Sequence, residues 1–527
     1  MGQTAPQGNS QNPCSSPATP CGGCFTWLAP QKGGAAGVSS AVVIVDPYSS
    51  GRFLLYELKP RGVPIICVRS SLKLGSFFLQ AYHKNKDYFA ATVDYQSLEQ
   101  AVREIRALPW QVKAVFAGCE PGVEIADLLA EALGLDARNS TALTKARKDK
   151  AAMQERLREC GVPAAEQLRS GKLPELTAWA TARGRWPLVA KPTGSSGSDG
   201  IFFCKGVEDI AMAHEELIGK MNPNGILNSE LALQEFLDGT EYIVDTVSHA
   251  GKHLCCAIWV YRKLRGTAWN PHCIVSEGNR LLPANGEIQD KLTDYVFRVL
   301  DAVGLRYGPC HTEVMLTPRG PVLVEVNARL HGLQGPSLIG MATGTSKATY
   351  AVDALLDGGQ LIQKKLATTA PARYLYPLQK QCYQIVLISP AEGYLKVPIT
   401  KTIQKLNLPS VVEVLPSVQQ GQWMSQTCDL NSAAGYVLMV HSSGQQMDQD
   451  RKRLREAEAA GALYVVSPSP LPSSPVPSPG SPGRLQSPSS PRLQSAEKAE
   501  EIWAALDAEV PPFPNGQKSP EMKLSGF

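Results

Sequence analysis

Two glutamates, an asparagine and an arginine stand in "HTEVMLTPRGPVLVEVNARLHG", residues 311–332, a stretch that is otherwise largely apolar. Residues 312–317 and 321–327 alternate with a period of two, and Pro318, Arg319 and Gly320 between them have the composition of a three-residue hairpin loop. Pairing Thr317 with Pro321 sets Glu313 opposite Glu325. Glu325, Asn327 and Arg329 are spaced two apart and share one face of the second strand. Like charges directly across a hairpin repel, and a cation between them removes the conflict. Two carboxylates and an amide oxygen form a hard-oxygen set suited to Mg²⁺, with room left for phosphate and water ligands. His311 shares the Glu313 face and is a candidate for the wall of a substrate pocket.

Further upstream lie segments suited to phosphate. "WPLVAKPTGSSGSDGIFFC" reads as a strand, residues 188–191, that ends in Lys191, then a Gly/Ser loop over 194–200, then a second strand from Ile201. Glycines let backbone amides approach phosphate oxygens closely, and serine hydroxyls add donors. "LALQEFLDGTEYIVDTVSHAGK" supplies an apolar segment running into Gln234, Glu235, Phe236 and Leu237, a turn at Asp238 and Gly239, and Glu241 opening a new strand. Two readings fit: a solvated turn with acidic edges, or a hinge whose backbone pairs with an adenine edge while Glu241 accepts from ribose hydroxyls. In "WVYRKLRG" Trp259, Tyr261 and Lys263 alternate against Arg262, which is a candidate carboxylate-binding cation.

Other elements must position these groups. "AVVIV" and "VKAVFA" are buried-strand runs, each followed by a loop and a helix, with residues 52–59 fitting the first helix. Neither turn carries a dinucleotide or Walker glycine pattern. A charged amphipathic helix follows in "ARKDKAAMQERLRECGVPAAEQL", ending at Gly161 with Pro163 beyond it. The 527-residue chain is 43% hydrophobic and 19% charged, a balance suited to several packed domains. A net charge of +4 without a basic block gives no warrant for a nucleic-acid or membrane surface. Thirteen cysteines scattered through apolar segments, with no secretory signal, point to reduced thiols in the cytoplasm. "CGGC" at Cys21–Cys24 has no second pair to complete a zinc site. "MGQTAP" starts like a myristoylation signal but has Pro6 where serine or threonine is expected, which leaves lipidation the lesser reading.

The ordered series Lys150, Lys191 with its Gly/Ser loop, "QEFLDGTE", Glu313 and "EVNAR" resembles the ATP-grasp superfamily of carboxylate-amine ligases. In pattern it is nearest the L-amino-acid ligase and biotin carboxylase branch, over about residues 41–466. The resemblance implies α/β and α+β architecture: a pre-ATP-grasp α/β domain (41–140), a small lid subdomain (141–235), a large metal-binding subdomain (236–360) and a β-rich carboxy-terminal extension (361–466). Flanking these are a disordered amino-terminal tail (1–40), a Ser/Pro linker (467–492) that is a candidate partner-binding segment, and a tail with a short amphipathic helix (493–527). It further implies ATP held by Lys150, Lys191, a lid including Ser195, Ser196, Gly197 and Ser198, adenine contacts from Gln234 to Leu237, and ribose contact from Glu241. Mg²⁺ or Mn²⁺ would lie on Glu313, Glu325 and Asn327. Arg329, with Lys191, would serve the chemistry, steadying an acylphosphate and the tetrahedral species that follows. His311, Arg262 and His331 are candidate contacts for small carboxylate and amine substrates, and a homodimer is a further expectation. Leu330 and His331 depart from the Pro-Gly that often follows this arginine in dipeptide ligases. The alternatives are a bicarbonate-activating enzyme of biotin-carboxylase type and a non-catalytic nucleotide-binding regulator.

Overall fold

The computed structural model describes residues 39–470 apart from 73–75, 196–198, 223–224, 272 and 369–375. Of the expected tails only 39–40 and 467–470 are described, with Ser40 and Ser467 each belonging to a strand; the tail helix and Ser196, Gly197 and Ser198 lie outside the described residues.

The first segment is a four-stranded parallel sheet with strand order β3-β2-β1-β4, built from β1 (Ser40–Val45), β2 (Ile65–Arg69), β3 (Ala91–Asp94) and β4 (Gln111–Ala117). Helices α1 (Arg52–Leu58), α2 (Ser76–Asn85), α3 (Leu98–Ala107) and α4 (Val123–Ala132) follow the strands in turn. Every residue of β1 after Ser40 is buried, as a strand covered on both faces requires. The order reverses between β1 and β4, and such a switch point opens a crevice at the carboxyl ends of the strands. Glu120, just past β4, lies there.

The expected single charged helix is instead two, α5 (Thr144–Lys148) and α6 (Lys150–Glu159). Asp149 breaks them: it takes an extended conformation, and its carboxylate accepts from the amides of Ala151 and Ala152. A local side-chain cap competes with the continuing helix and wins. The break places Lys150 at the start of α6, where its amide bonds Thr193 O at 3.0 Å, two residues beyond Lys191.

Next comes a small antiparallel sheet, order β5-β8-β6-β7, of β5 (Gln167–Ser170), β6 (Leu188–Pro192), β7 (Phe202–Cys204) and β8 (Leu231–Glu235), packed on α7 (Leu173–Arg183) and α8 (Val207–Leu217). The large sheet has eight strands. β9 (Thr240–His249), β10 (Lys252–Arg265), β11 (Ile274–Leu281), β12 (Gly308–Thr317) and β13 (Gly320–Asn327) are accompanied by α9 (Glu287–Ala302), α10 (Gly335–Thr343), α11 (Lys347–Leu355) and α12 (Gln360–Ala367). The carboxy-terminal segment adds β14 (Gln381–Leu387), β15 (Gly393–Leu395), α13 (Ile399–Gln404), β16 (Val411–Pro416), β17 (Trp423–Met424), β18 (Gly435–His441), α14 (Gly444–Ala459) and β19 (Val466–Ser467). Its β14, β18 and β16 continue the large sheet, order β13-β12-β9-β10-β11-β14-β18-β16, so the extension shares that sheet.

The β12–β13 hairpin has a shorter loop than its composition suggests. Thr317 pairs with Gly320, whose φ of 102° suits glycine alone, and Leu316 pairs with Pro321. A bulge at Val324 then shifts the register by one, so Glu313 still faces Glu325. Gly239 has its own necessity. A Cβ there would lie 2.2 Å from Leu316 O, so only glycine lets the linker between β8 and β9 cross this hairpin so closely.

Candidate active site

Because partners across a sheet project from the same side, Glu241 and Asp245 on β9, Lys263 on β10, His311 and Glu313 on β12, and Glu325 and Asn327 on β13 converge on one face. Lys263 Nζ lies 2.7 Å from Glu241 Oε1 and 3.3 Å from Glu313 Oε2. Lys150 Nζ lies 2.9 Å from Glu325 Oε2 and also donates to Ser195 O. Each of the facing carboxylates is thus held by a lysine, the counter-charge that the hairpin sequence demanded. Burial opposes ionisation of Glu313, yet Lys263 and His311 keep it well below the usual carboxylate range. Burial likewise opposes Glu325, but Lys150 holds it low. Glu241 behaves differently, because burial outweighs Lys263 and raises it to about 7.

Lys191 is buried at the end of β6, and burial together with the like charge of Lys150 lowers it to about 8. A buried ammonium beside a second ammonium gains most from an anion, so the chemistry of the pair fits phosphate. Asn327 donates from Nδ2 to Glu325 Oε1 at 3.0 Å and accepts from Arg329 Nη2 at 3.0 Å. To serve as a third hard-oxygen donor beside the carboxylates, Asn327 would have to turn its amide over and give up the bond from Arg329. Arg329 lies beyond the end of β13 and is clamped by Glu120 from the first segment, Nε to Oε2 at 2.9 Å. The guanidinium therefore spans the switch-point crevice and the carboxylate face.

The adenine candidates run along the crossing from β8 to β9. Gln234 is buried and donates from Nε2 to Gln167 Oε1 at 2.6 Å, leaving its own amide oxygen as an acceptor. Glu235 is engaged by Arg183 at 3.5 Å, by Arg319 and by the amide of Glu166. Phe236 meets Phe203 edge-on at 5.2 Å and lies under the Arg265 guanidinium at 4.3 Å, and Leu237 is half-buried beside it. Ser195 donates to Asp199 Oδ2 at 2.6 Å.

Arg262 does not join this group. It neighbours Lys263 on β10 and strict alternation sends it to the opposite face of the sheet, away from the carboxylates. His331 and His311 are both present, but mostly buried. Their rings lie 4.3 Å apart, and both are organised by Asp245. That carboxylate takes His331 Nδ1 at 2.6 Å, Trp259 Nε1 at 2.8 Å and Lys347 Nζ at 2.7 Å, with His311 Nδ1 at 3.4 Å. Although the ligand atoms of Asp245, His311 and His331 lie within 4.8 Å of one another, Lys347 and Trp259 already occupy the carboxylate. The cluster forms a hydrogen-bonded core behind the metal candidates: Asp245 and Lys347 are both fully buried against each other, whereas Glu313 and Glu325 keep part of their carboxylates exposed. Burial lowers His331 to about 4, so it is a neutral ring, while Asp245 and Glu313 overcome burial and raise His311.

Asp245, Lys347 and Glu120 are members of this cluster that the sequence reading does not name, and the cation it placed at Arg262 is supplied on this face by the neighbouring Lys263. A lone acid inside the apolar run "YIVDTV" was the available signal for the first of them. Among the described residues no helix is long and apolar enough to cross a membrane.

Comparison with known proteins bears on the domain and the fold. Residues 184–336 match the ATP-grasp domain. The chain is 28% identical over 423 residues to dapdiamide A synthase of Enterobacter agglomerans, covering 79% of this chain and 96% of that one. Its fold is similar to the crystal structure of L-amino acid ligase from Bacillus licheniformis, with a TM-score of 0.61 and 16% identity over 79% of this chain and 97% of that one. It is also similar to the biotin carboxylase domain of Hydrogenobacter thermophilus 2-oxoglutarate carboxylase, solved with MgADP and bicarbonate, with a TM-score of 0.54 and 13% identity over 81% and 90% of the two chains.

Proposed function

We infer that this chain, which carries an ATP-grasp domain, is an ATP-dependent carboxylate-amine ligase that forms a C–N bond and releases ADP and phosphate. The observation that carries the reading is the convergence of Lys150, Lys191, Glu313, Glu325 and Arg329 from separate elements onto one face. A regulator that had lost turnover would not need all five. The names of the dapdiamide synthase and the amino-acid ligase favour an amino acid, or a similar small carboxylate, as one substrate and an amine as the other.

A carboxylate is a poor electrophile, so the first step transfers the terminal phosphoryl group of ATP to it. The amine then displaces phosphate from the acylphosphate through a tetrahedral species. Such transfers ask chiefly for positioning and charge neutralisation. Lys150 and Lys191 receive the phosphates, and their arrival relieves the mutual repulsion of the two ammoniums. Gln234 and the 235–237 crossing receive adenine, and Glu241 the ribose. Glu313, Glu325 and Asn327 would hold Mg²⁺, which supplies further neutralisation of phosphate charge. Binding there has to draw Lys263 and Lys150 away from the two carboxylates. Arg329, fixed by Glu120, offsets charge that develops on the acyl oxygen. Ser195, whose carbonyl accepts from Lys150, is a described residue of the Gly/Ser loop that the resemblance makes a cover against water. The four-segment division at about 140, 235 and 360 belongs to this proposal, as does a homodimer.

The test is a screen of amino acids and small carboxylates against amines, reading both nucleotide and phosphate. The expected outcome is ADP and phosphate in equal amounts, released fast only when acid and amine are both present. Release of AMP and pyrophosphate would overturn the mechanism.

A further inference from the structure

The small three-stranded sheet of the carboxy-terminal segment, order β17-β15-β19, has an inner and an outer face of different character. Leu395, Met424 and Val466 belong to the core of the segment, where they pack in one cluster with Ile399, Ile403 and Tyr464. Trp423, Tyr394 and Ser467 form a single cross-strand row, Trp423 opposite Tyr394 and Tyr394 opposite Ser467, so all three project from the other side. Trp423 is 49% exposed, and its indole meets the Tyr394 ring edge-on at 5.1 Å with 83° between the planes. Val465, two residues before Ser467, is exposed as well, and its carbonyl accepts from Lys396 N at 2.7 Å, which carries the pairing of β19 with β15 one step further. An exposed aromatic pair of this kind is the surface on which proline-rich segments dock.

The chain itself leaves from this row. Ser467 is the last strand residue, Pro468, Ser469 and Pro470 after it are exposed, and residues 471–477 read "LPSSPVP". Pro472 and Pro475 are three apart, so a polyproline II turn of three residues sets them on one side. Neighbouring strands lie about 4.8 Å apart, which puts β17 about 10 Å across the sheet from β19. Polyproline II rises about 3.1 Å per residue, so about four residues make the crossing. Pro472 and Pro475, five and eight residues after Ser467, are therefore within reach of both rings.

We propose that the outer face of this sheet, through Trp423 and Tyr394, docks residues 471–477 of its own chain as an extended polyproline strand. Composition and tether select this occupant. Proline rings are apolar and already ordered, so packing them on exposed aromatics costs little conformational entropy. A tether of a few residues holds the segment at an effective concentration on the order of millimolar, which populates a contact too weak to persist between separate molecules. The same segment of a second copy lacks that advantage.

Full-length protein labelled with fluorotryptophan reads the contact by fluorine NMR, with a soluble gadolinium chelate as the probe of exposure. The resonances lost in Trp423→Phe and in Trp186→Phe identify those two indoles, of which Trp186 is 37% exposed and serves as the open reference. The expected result is that Trp423, the more exposed of the two in the sheet itself, broadens less than Trp186, and that this protection survives dilution. Replacing Pro472, Pro475 and Pro477 together by serine should abolish the protection and leave the Trp186 signal unchanged. Trp423 broadened as strongly as Trp186, equal broadening in wild type and the triple variant, or protection that fades on dilution and so belongs to a second copy, would each overturn the proposal.

Discussion

Raising the pH should weaken nucleotide binding through Lys191 in a range where an ordinary lysine is silent. Burial and the Lys150 charge lower this ammonium from its usual 10.5 to about 8. Phosphate binding uses the charged form, so the apparent Kd is the intrinsic Kd divided by the protonated fraction. One pH unit above the folded pKa, that fraction is about one in eleven, and ATP affinity falls roughly tenfold, about 1.4 kcal/mol. Lys150 stays charged throughout, since Glu325 outweighs its burial and raises it. Stability of the free protein moves the other way. Between about 8 and 10.5 the unfolded chain holds a proton that folded Lys191 has released, so stability rises with pH across that window and is lost as pH falls through it. Calorimetric titration of ATP from pH 7 to 9.5 provides the assay. Lys191→Arg should flatten the curve, and Lys191→Met should weaken binding at pH 7 and remove the dependence. A wild-type affinity that is flat to pH 9.5, or that falls equally in Lys191→Met, would refute the assignment of Lys191 to the phosphates.

Arg329→Ala should lower kcat by about 10²–10³ with little change in ATP affinity, the pattern of an interaction made in the transition state, as steady-state kinetics and direct ATP titration would show. Asp245→Ala leaves the fully buried ammonium of Lys347 without its carboxylate and should destabilise the fold by about 3–5 kcal/mol in a denaturant titration.

The hairpin shows how sequence reading can succeed in part. Period-two alternation found both strands, but a three-residue loop was assumed where two residues suffice, and the bulge at Val324 restored the predicted Glu313–Glu325 pairing. Bulges leave little trace in composition. Lys191 was legible as the lysine that ends a strand before a Gly/Ser loop, whereas Lys150 came only from the resemblance, because the Asp149 cap that sets it at a helix start was read as the interior of one helix. Asp245 and Lys347 are 102 residues apart, and Glu120 and Arg329 are 209 apart, so only tertiary packing reveals those pairs. The alternation of Lys263 against Arg262 was legible, but which of the two faced the carboxylates depends on the register of β10 with β9, set by a bulge between Cys255 and Ala257.

The central claim is that Glu313 and Glu325 hold a divalent cation that serves ATP-dependent ligation. It is tested most directly by titrating Mg²⁺ into wild-type protein and Glu325→Gln while measuring ADP release with acid and amine present. Glu325→Gln keeps the shape, removes one charge and frees Lys150 from its partner. The account predicts wild-type turnover that is abolished by chelation and restored by Mg²⁺, and a variant whose Mg²⁺ requirement shifts upward while turnover collapses. Glu325→Gln with wild-type turnover and an unchanged Mg²⁺ requirement would contradict it.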